Sequence, residues 1–419
     1  MHKQTTLENG LRVITTPMPQ TRSVAVCIFI GAGSRYESEV QAGVSHFIEH
    51  LCFRGTEKRP TSREISEAIE GVGGIINAGT DKELTVYCCK VAQPHFPLAL
   101  DVLADIVRNA RFDPTDIERE RQVITEEINM SKDSPSQLVN MLVDELLWPK
   151  HPLGRDIAGS KETVAAITRE TIVDYVGRQY LPANTVVSVA GAGEHRRMLS
   201  AVELALGNWS GLKPNPTYSL YKEREFPKLR IEAKETEQAH LCLGLSGLPL
   251  LHPERFALDL LNVVLGEGMS SRLFTEIRDR LGLAYNIYSY AEHFADTGSI
   301  TVYAGVEPKK LAVAIRAILE QLARLKEPIP RAELTKAKEL SKGRLLLRME
   351  DSRTVVGWAG GQEILTRRIL SVDEVLAIVD AITAEELQQL AQELLVSNQL
   401  RLAVVGPLAD EPLEELLVI

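Results

Sequence analysis

His46, Glu49 and His50 lie in the stretch SHFIEHLCFRGT, residues 45–56, of a 419-residue chain that holds only nine histidines. A helix turns by about 100° per residue, so the two histidines stand one turn apart, with Glu49 between them in sequence and on the same side of the helix. Two imidazoles at that spacing can reach one ion, as in helical zinc sites. Hydrolysis at such a site needs neutral imidazole ligands and a carboxylate base within reach of the water that the metal holds. The order His-x-x-Glu-His is the inverted form of the metallopeptidase motif. The plainer reading of a histidine pair is a solvated polar face. The glutamate beside both rings is what turns the balance toward a metal.

A hydrolytic zinc site takes a third protein ligand and keeps its fourth position open. In DPTDIERERQVITEEINM, residues 113–130, Ile117, Ile124 and Ile128 mark the apolar stripe of a helix. Glu120 and Glu127 lie two turns apart along one edge of that stripe, where a carboxylate is costly unless paired or bound to a metal. Glu127 is the expected third ligand. Glu120 is expected to hold a ligand histidine or the loop around it, the alternative being an ordinary helix salt bridge. Glu126 points elsewhere and reads as a surface charge.

The elements that must position these residues follow from hydropathy patterning. NGLRVITT and SVAVCIFIGAGS read as strands, the second too apolar to face water. On the motif helix, Val44, Phe47, Ile48 and Leu51 form a core stripe from which the two histidines and Glu49 point away. TSREISEAIEGVGG reads as a helix opened by a Thr61–Glu64 capping box and stopped by Gly73 and Gly74. A strand hairpin is expected at IINAGTDKELTVYCCKV, then helices at PLALDVLADIVRNA and around Glu120. The mixture predicts an α+β fold, with helices packed on a sheet.

The order of elements then repeats after about two hundred residues, which is a duplicated domain and not a solenoid. AHLCLGLSGLP matches the strand at Ser23, ERFALDLLNVVLGEGMSSRLF the motif helix, GSITVYAGV the strand ELTVYCCKV, and PRAELTKAKELSKGRL the helix with Glu120. The His, Glu and His positions are aliphatic or Asn in the second copy, so the first carries the chemistry. The expected division is 1–206, a Pro- and Gly-rich linker at 207–228, and 229–419.

Composition narrows the function classes. The net charge is −10 with no long basic run, which gives no footprint for nucleic acid. The opening MHKQTTLENGLRVITTP has no apolar core of signal-peptide length, and no stretch approaches a membrane span. A cytoplasmic location is expected. Five cysteines, Cys27, Cys52, Cys88, Cys89 and Cys242, sit in apolar runs without a CxxC pair and read as buried free thiols of a reducing compartment.

HFIEH followed by Glu127, 77 positions after His50, resembles the zinc metallopeptidase family of pitrilysin, insulin-degrading enzyme and the mitochondrial processing peptidase. The likeness spans nearly the whole chain and is closest to short bacterial-type members, in which two homologous domains, each a mainly antiparallel sheet with helices, pair with a second subunit to enclose a chamber. The resemblance implies one Zn²⁺ per chain on His46, His50 and Glu127. It implies a zinc-bound water as nucleophile, with Glu49 as general base. GGIINAGTDKELTVY is similar to the family's substrate strand, which implies that Asn77 and Ala78 contact the backbone of a peptide bound as an added strand. IRDRLGLAYNIYSY resembles a segment whose Arg and Tyr contact substrate, here Arg278 and Tyr285, and implies that they complete a partner subunit's site. Glu267 interrupts the glycine-rich loop between Gly266 and Gly268, and no long presequence-binding loop is present.

Three readings follow: a zinc endopeptidase of short or unfolded polypeptides, as a homodimer; a noncatalytic scaffold subunit; and a catalytic subunit that needs an inactive paralogue. A scaffold has no need of the full residue set. The presence of both the zinc set and the Arg/Tyr pair in one chain favours self-pairing.

Overall fold

The computed structural model describes residues 2–211, 217–222, 227–407 and 412–419. Residues 212–216 and 223–226 of the expected linker lie outside the described residues. The chain divides into two compact units, each assembled from non-contiguous pieces.

The first unit comprises residues 1–128, 156–219 and 346–371. Its sheet contains β1 (Lys3–Thr6), β2 (Arg12–Pro17), β3 (Ser23–Ile30), β4 (Ile75–Thr80), β5 (Thr85–Ala92) and β6 (Thr185–Gly191), in the order β1-β2-β6-β3-β5-β4. Only β2 and β6 run parallel. β3 explains its own composition. Val24, Val26, Ile28 and Ile30 enter the core shared with the motif helix and the helix Phe96–Asn109, while Ala25, Cys27 and Phe29 enter a second core on the other face. Alternate side chains of a strand point to opposite faces, so a strand covered on both sides is apolar throughout.

The cover on that second face is the helix Ser352–Thr366, contributed from late in the sequence. The Arg12 guanidinium donates to the Glu363 carboxylate at 2.8 Å and to its carbonyl at 3.0 Å, both residues being buried. Gly360 permits the close approach, since a Cβ there would run into the Phe29 ring.

The second unit comprises residues 129–155, 220–345 and 372–419. Its strands are β7 (Leu229–Ala233), β8 (Ala239–Ser246), β9 (Ala284–His293), β10 (Gly298–Val306) and β11 (Arg401–Gly406), ordered β7-β11-β8-β10-β9, with β7 and β11 parallel. One face packs on helices including Arg255–Gly266 and Leu311–Arg324. The other receives the helix Pro135–Leu147 from the first half of the sequence, against which Gly244 of β8 leaves room for Val143 and Leu147. Each sheet is therefore closed by a helix from the opposite half of the chain. Both sheets are mixed, with one parallel pair each, in an α+β arrangement.

The cysteine expectation needs correction. Cys27 and Cys88 face each other across β3 and β5 and form a disulfide, whereas Cys52, Cys89 and Cys242 are free and buried. Spacing along the sequence cannot reveal a pair that arises from strand register. Among the described residues no helix is long and apolar enough to cross a membrane.

Candidate metal centre

The motif helix runs over Val44–Cys52. Its start is set by Gly43, at φ 95°, where a Cβ would also collide with the Ala158 carbonyl. The first-turn amides are satisfied by Glu37: the N–H groups of Gly43 and Ser45 each donate to its carboxylate at 2.8 Å. A carboxylate there pairs with otherwise orphaned donors and with the positive end of the helix dipole. The Ser45 hydroxyl bonds the Tyr175 hydroxyl at 2.8 Å. Val44, Phe47, Ile48 and Leu51 are fully buried, which fixes the helix rotation and directs His46, Glu49 and His50 to the opposite side.

That side is not a solvated face. The side chains of His46 and His50 are 19% and 18% exposed, and their Nε2 atoms lie 3.2 Å apart. Glu127, on the helix Pro114–Asp133, brings its Oε2 to 3.8 Å from the His46 Nε2 and 3.6 Å from the His50 Nε2. One ligand atom from each of the three residues fits within a span of 4.8 Å. Glu120, 1% exposed, accepts from the His50 Nδ1 at 2.9 Å and is also paired with Arg54. Glu126 is exposed on the same helix.

The electrostatics suit a cation. Burial, reinforced by the His50 charge, lowers the His46 pKa to about 4 and keeps that imidazole neutral. For His50, burial opposes the charged form, but the Glu120 hydrogen bond and the charges of Glu127, Glu120 and Glu49 outweigh it and raise the pKa. Burial also penalises the Glu120 carboxylate, yet His50 and Arg54 hold its pKa below the usual range. In its neutral form, with the Nδ1 proton donated to Glu120, His50 presents an Nε2 lone pair toward the Nε2 of a neutral His46 and the Glu127 carboxylate. Three converging electron-rich atoms repel one another unless a cation lies among them, so the donor set fits a zinc ion. The buried Nδ1 of His46 has no hydrogen-bond partner among the described residues, so the two histidines are supported unequally.

Glu49 lies close enough to feel the charges of His50 and Glu127, and its pKa is raised, chiefly by burial. Its Oε2 accepts from the Thr80 hydroxyl at 2.6 Å. Thr80 ends β4, the strand that also carries Asn77 and Ala78. β4 pairs with β5 on one side and with no other strand among the described residues. Asn77 is exposed, whereas Ile76 and Ala78 pack toward the core. Cys52 is buried against the Tyr87 hydroxyl at 3.5 Å, and burial pushes its thiol up to about 12, a packing role.

Arg278 and Tyr285 belong to the second unit. The Arg278 guanidinium lies 4.7 Å from the Phe274 ring centre and 4.8 Å from that of Tyr285. Arg278 sits in a π-helical segment, Phe274–Arg280, and Tyr285 is 75% exposed on the edge strand β9. Glu267 pairs with Arg344. Glu37, Arg54 and Thr80 were not anticipated from the sequence. Arg54 follows the motif by four residues, but its partner is remote, and nothing local marks Glu37 or Thr80.

Residues 12–161 match the family model described as Insulinase (Peptidase family M16), and residues 166–341 that described as Peptidase M16 inactive domain. A Bacillus subtilis protein described as an uncharacterized zinc protease is 37% identical over 98% of this chain and 100% of its own. A Mycobacterium leprae protein described in the same words is 37% identical over 97% of this chain and 92% of its own. A protease from Helicobacter pylori superposes with a TM-score of 0.91 at 24% identity, covering 97% of this chain and 99% of that one. A chain of Complex III2 from Candida albicans gives 0.86 at 20% identity over 100% of both chains. These two likenesses establish the fold.

Proposed function

The chain belongs to the insulinase family of peptidases, Peptidase family M16, and from that premise we propose that it is a zinc-dependent endopeptidase of short or unfolded polypeptides. The observation that carries the reading is the convergence of His46, His50 and Glu127 within 4.8 Å on the face that also bears Glu49. His46, His50 and Glu127 would hold the zinc, which when bound supplies a Lewis acid and a water acidic enough to react near neutral pH. Glu49 takes the proton from the attacking water and returns it to the leaving amine. Glu120 holds the Nδ1 proton of His50 and so fixes that ring. The peptide lies as an added strand along the open edge of β4, bound through its backbone beside Asn77 and Ala78, which makes side-chain specificity broad.

The same reading gives Arg278 and Tyr285 a substrate-binding role at the site of a partner subunit. The working form is a homodimer enclosing a chamber, with 1–206 as the catalytic repeat and 229–419 as the repeat without the motif. A cytoplasmic location belongs to this reading too. The Cys27–Cys88 disulfide is the feature that argues against it, since such bonds are rare in the cytosol.

The test compares wild type with Glu49→Gln for zinc content and for cleavage of a quenched unstructured peptide. Wild type should hold zinc and cut, while the variant holds zinc and does not. A pure protein that neither binds zinc nor cuts would leave the scaffold reading, or a catalytic subunit lacking its inactive paralogue.

A further inference from the structure

General-base chemistry asks more of Glu49 than proximity. A glutamate side chain has three rotatable bonds, and proton transfer requires one carboxylate oxygen at a defined place, so something must select the rotamer. The proposed metal ligands do not do this: His46 and His50 share with Glu49 the backbone of one helix, and His50 and Glu127, the latter on another helix, act on it through charge. Among the described residues one side chain bonds the Glu49 carboxylate: Thr80, whose Oγ1 donates to Oε2 at 2.6 Å. A hydroxyl donating to an ionised carboxylate makes one of the stronger hydrogen bonds available to a neutral side chain.

The placement of Thr80 gives that bond a consequence. It is the last residue of β4, aligned with Thr85 of β5, just before the turn in which the Asp81 amide bonds the Leu84 carbonyl at 2.8 Å. Alternation along β4 puts Thr80 on the same face as Ile76 and Ala78, the face against the motif helix, and opposite Asn77. The strand whose open edge would receive the peptide therefore also carries the group that bonds the base.

Resting on the peptidase reading above, we infer that Thr80 is a positioning residue: its hydroxyl fixes Oε2 of Glu49, leaves Oε1 as the oxygen that moves the proton, and ties the base to the substrate strand. Register of the peptide along β4 and position of the base are then set by one element.

The experiment uses the full chain with Thr80→Val, which keeps the branched shape and removes the hydroxyl, and Thr80→Ser, which keeps the hydroxyl. Thr80→Ala replaces the valine variant if that one does not fold. Each is measured for zinc content, for kcat and KM on the unstructured peptide, and by crystallography for the Glu49 rotamer. Thr80→Val should lose roughly 10- to 100-fold in kcat with KM and zinc content unchanged and Glu49 displaced, and Thr80→Ser should recover most of the rate. A valine variant as fast as wild type, a serine variant as slow as the valine one, or a change confined to KM would overturn the inference. If wild type itself does not cut, the peptidase reading fails, while the Glu49 rotamer in the crystals still decides what Thr80 does.

Discussion

At the level of single residues, the centre is held together by contacts that tune its two histidines differently. His50 donates its Nδ1 proton to a buried carboxylate that Arg54 also faces, whereas the buried Nδ1 of His46 has no hydrogen-bond partner among the described residues. The ring of His50 is thus oriented from behind and that of His46 only by packing. Glu120→Ala should therefore weaken metal binding by about 10- to 100-fold, read by competition with a chelator, with Glu126→Ala as an unaffected control. Equal affinity in both variants would reduce the Glu120 contact to a salt bridge. Helical spacing singled out Glu120 and Glu127 as candidates, because two carboxylates on the edge of an isoleucine stripe need a reason to be there.

Among the elements, the motif helix matters most, and what anchors it lies outside the motif. Glu37 binds the Gly43 and Ser45 amides from a segment that precedes the helix. Glu37→Ala should cost about 1–3 kcal/mol of stability and weaken metal binding through a loosened first turn, read by denaturant unfolding and by the chelator competition. Unchanged values in both would mean that water replaces the carboxylate without loss. Capping by a residue next to the helix leaves a local signature, as at Thr61 and Glu64, where both halves of the expected capping box form. Capping from Glu37 depends on how an intervening loop folds back, and no spacing rule describes it.

For the whole molecule, the proposed role of Arg278 and Tyr285 at a partner's site has a direct consequence. Mixing Glu49→Gln chains with Arg278→Ala chains, each inactive alone, should restore about a quarter of wild-type activity after subunit exchange, since half the dimers are mixed and each has one intact site. No recovery would remove the shared-site arrangement and leave the metal centre untouched. The sequence by itself determined what hydropathy and spacing encode locally: the strands and helices around the motif, the order that recurs in the second half, and the candidates His46, Glu49, His50, Glu120 and Glu127. Tertiary structure alone decided what joins residues far apart in the chain. It paired Cys27 with Cys88 through strand register and set Thr80 against Glu49 through the packing of β4 on the motif helix. It also sent the helices Pro135–Leu147 and Ser352–Thr366 to cover sheets built from the opposite half of the sequence. An amphipathic pattern states that a helix face must be buried, but not against which sheet, because any apolar surface of matching shape removes it from water equally well.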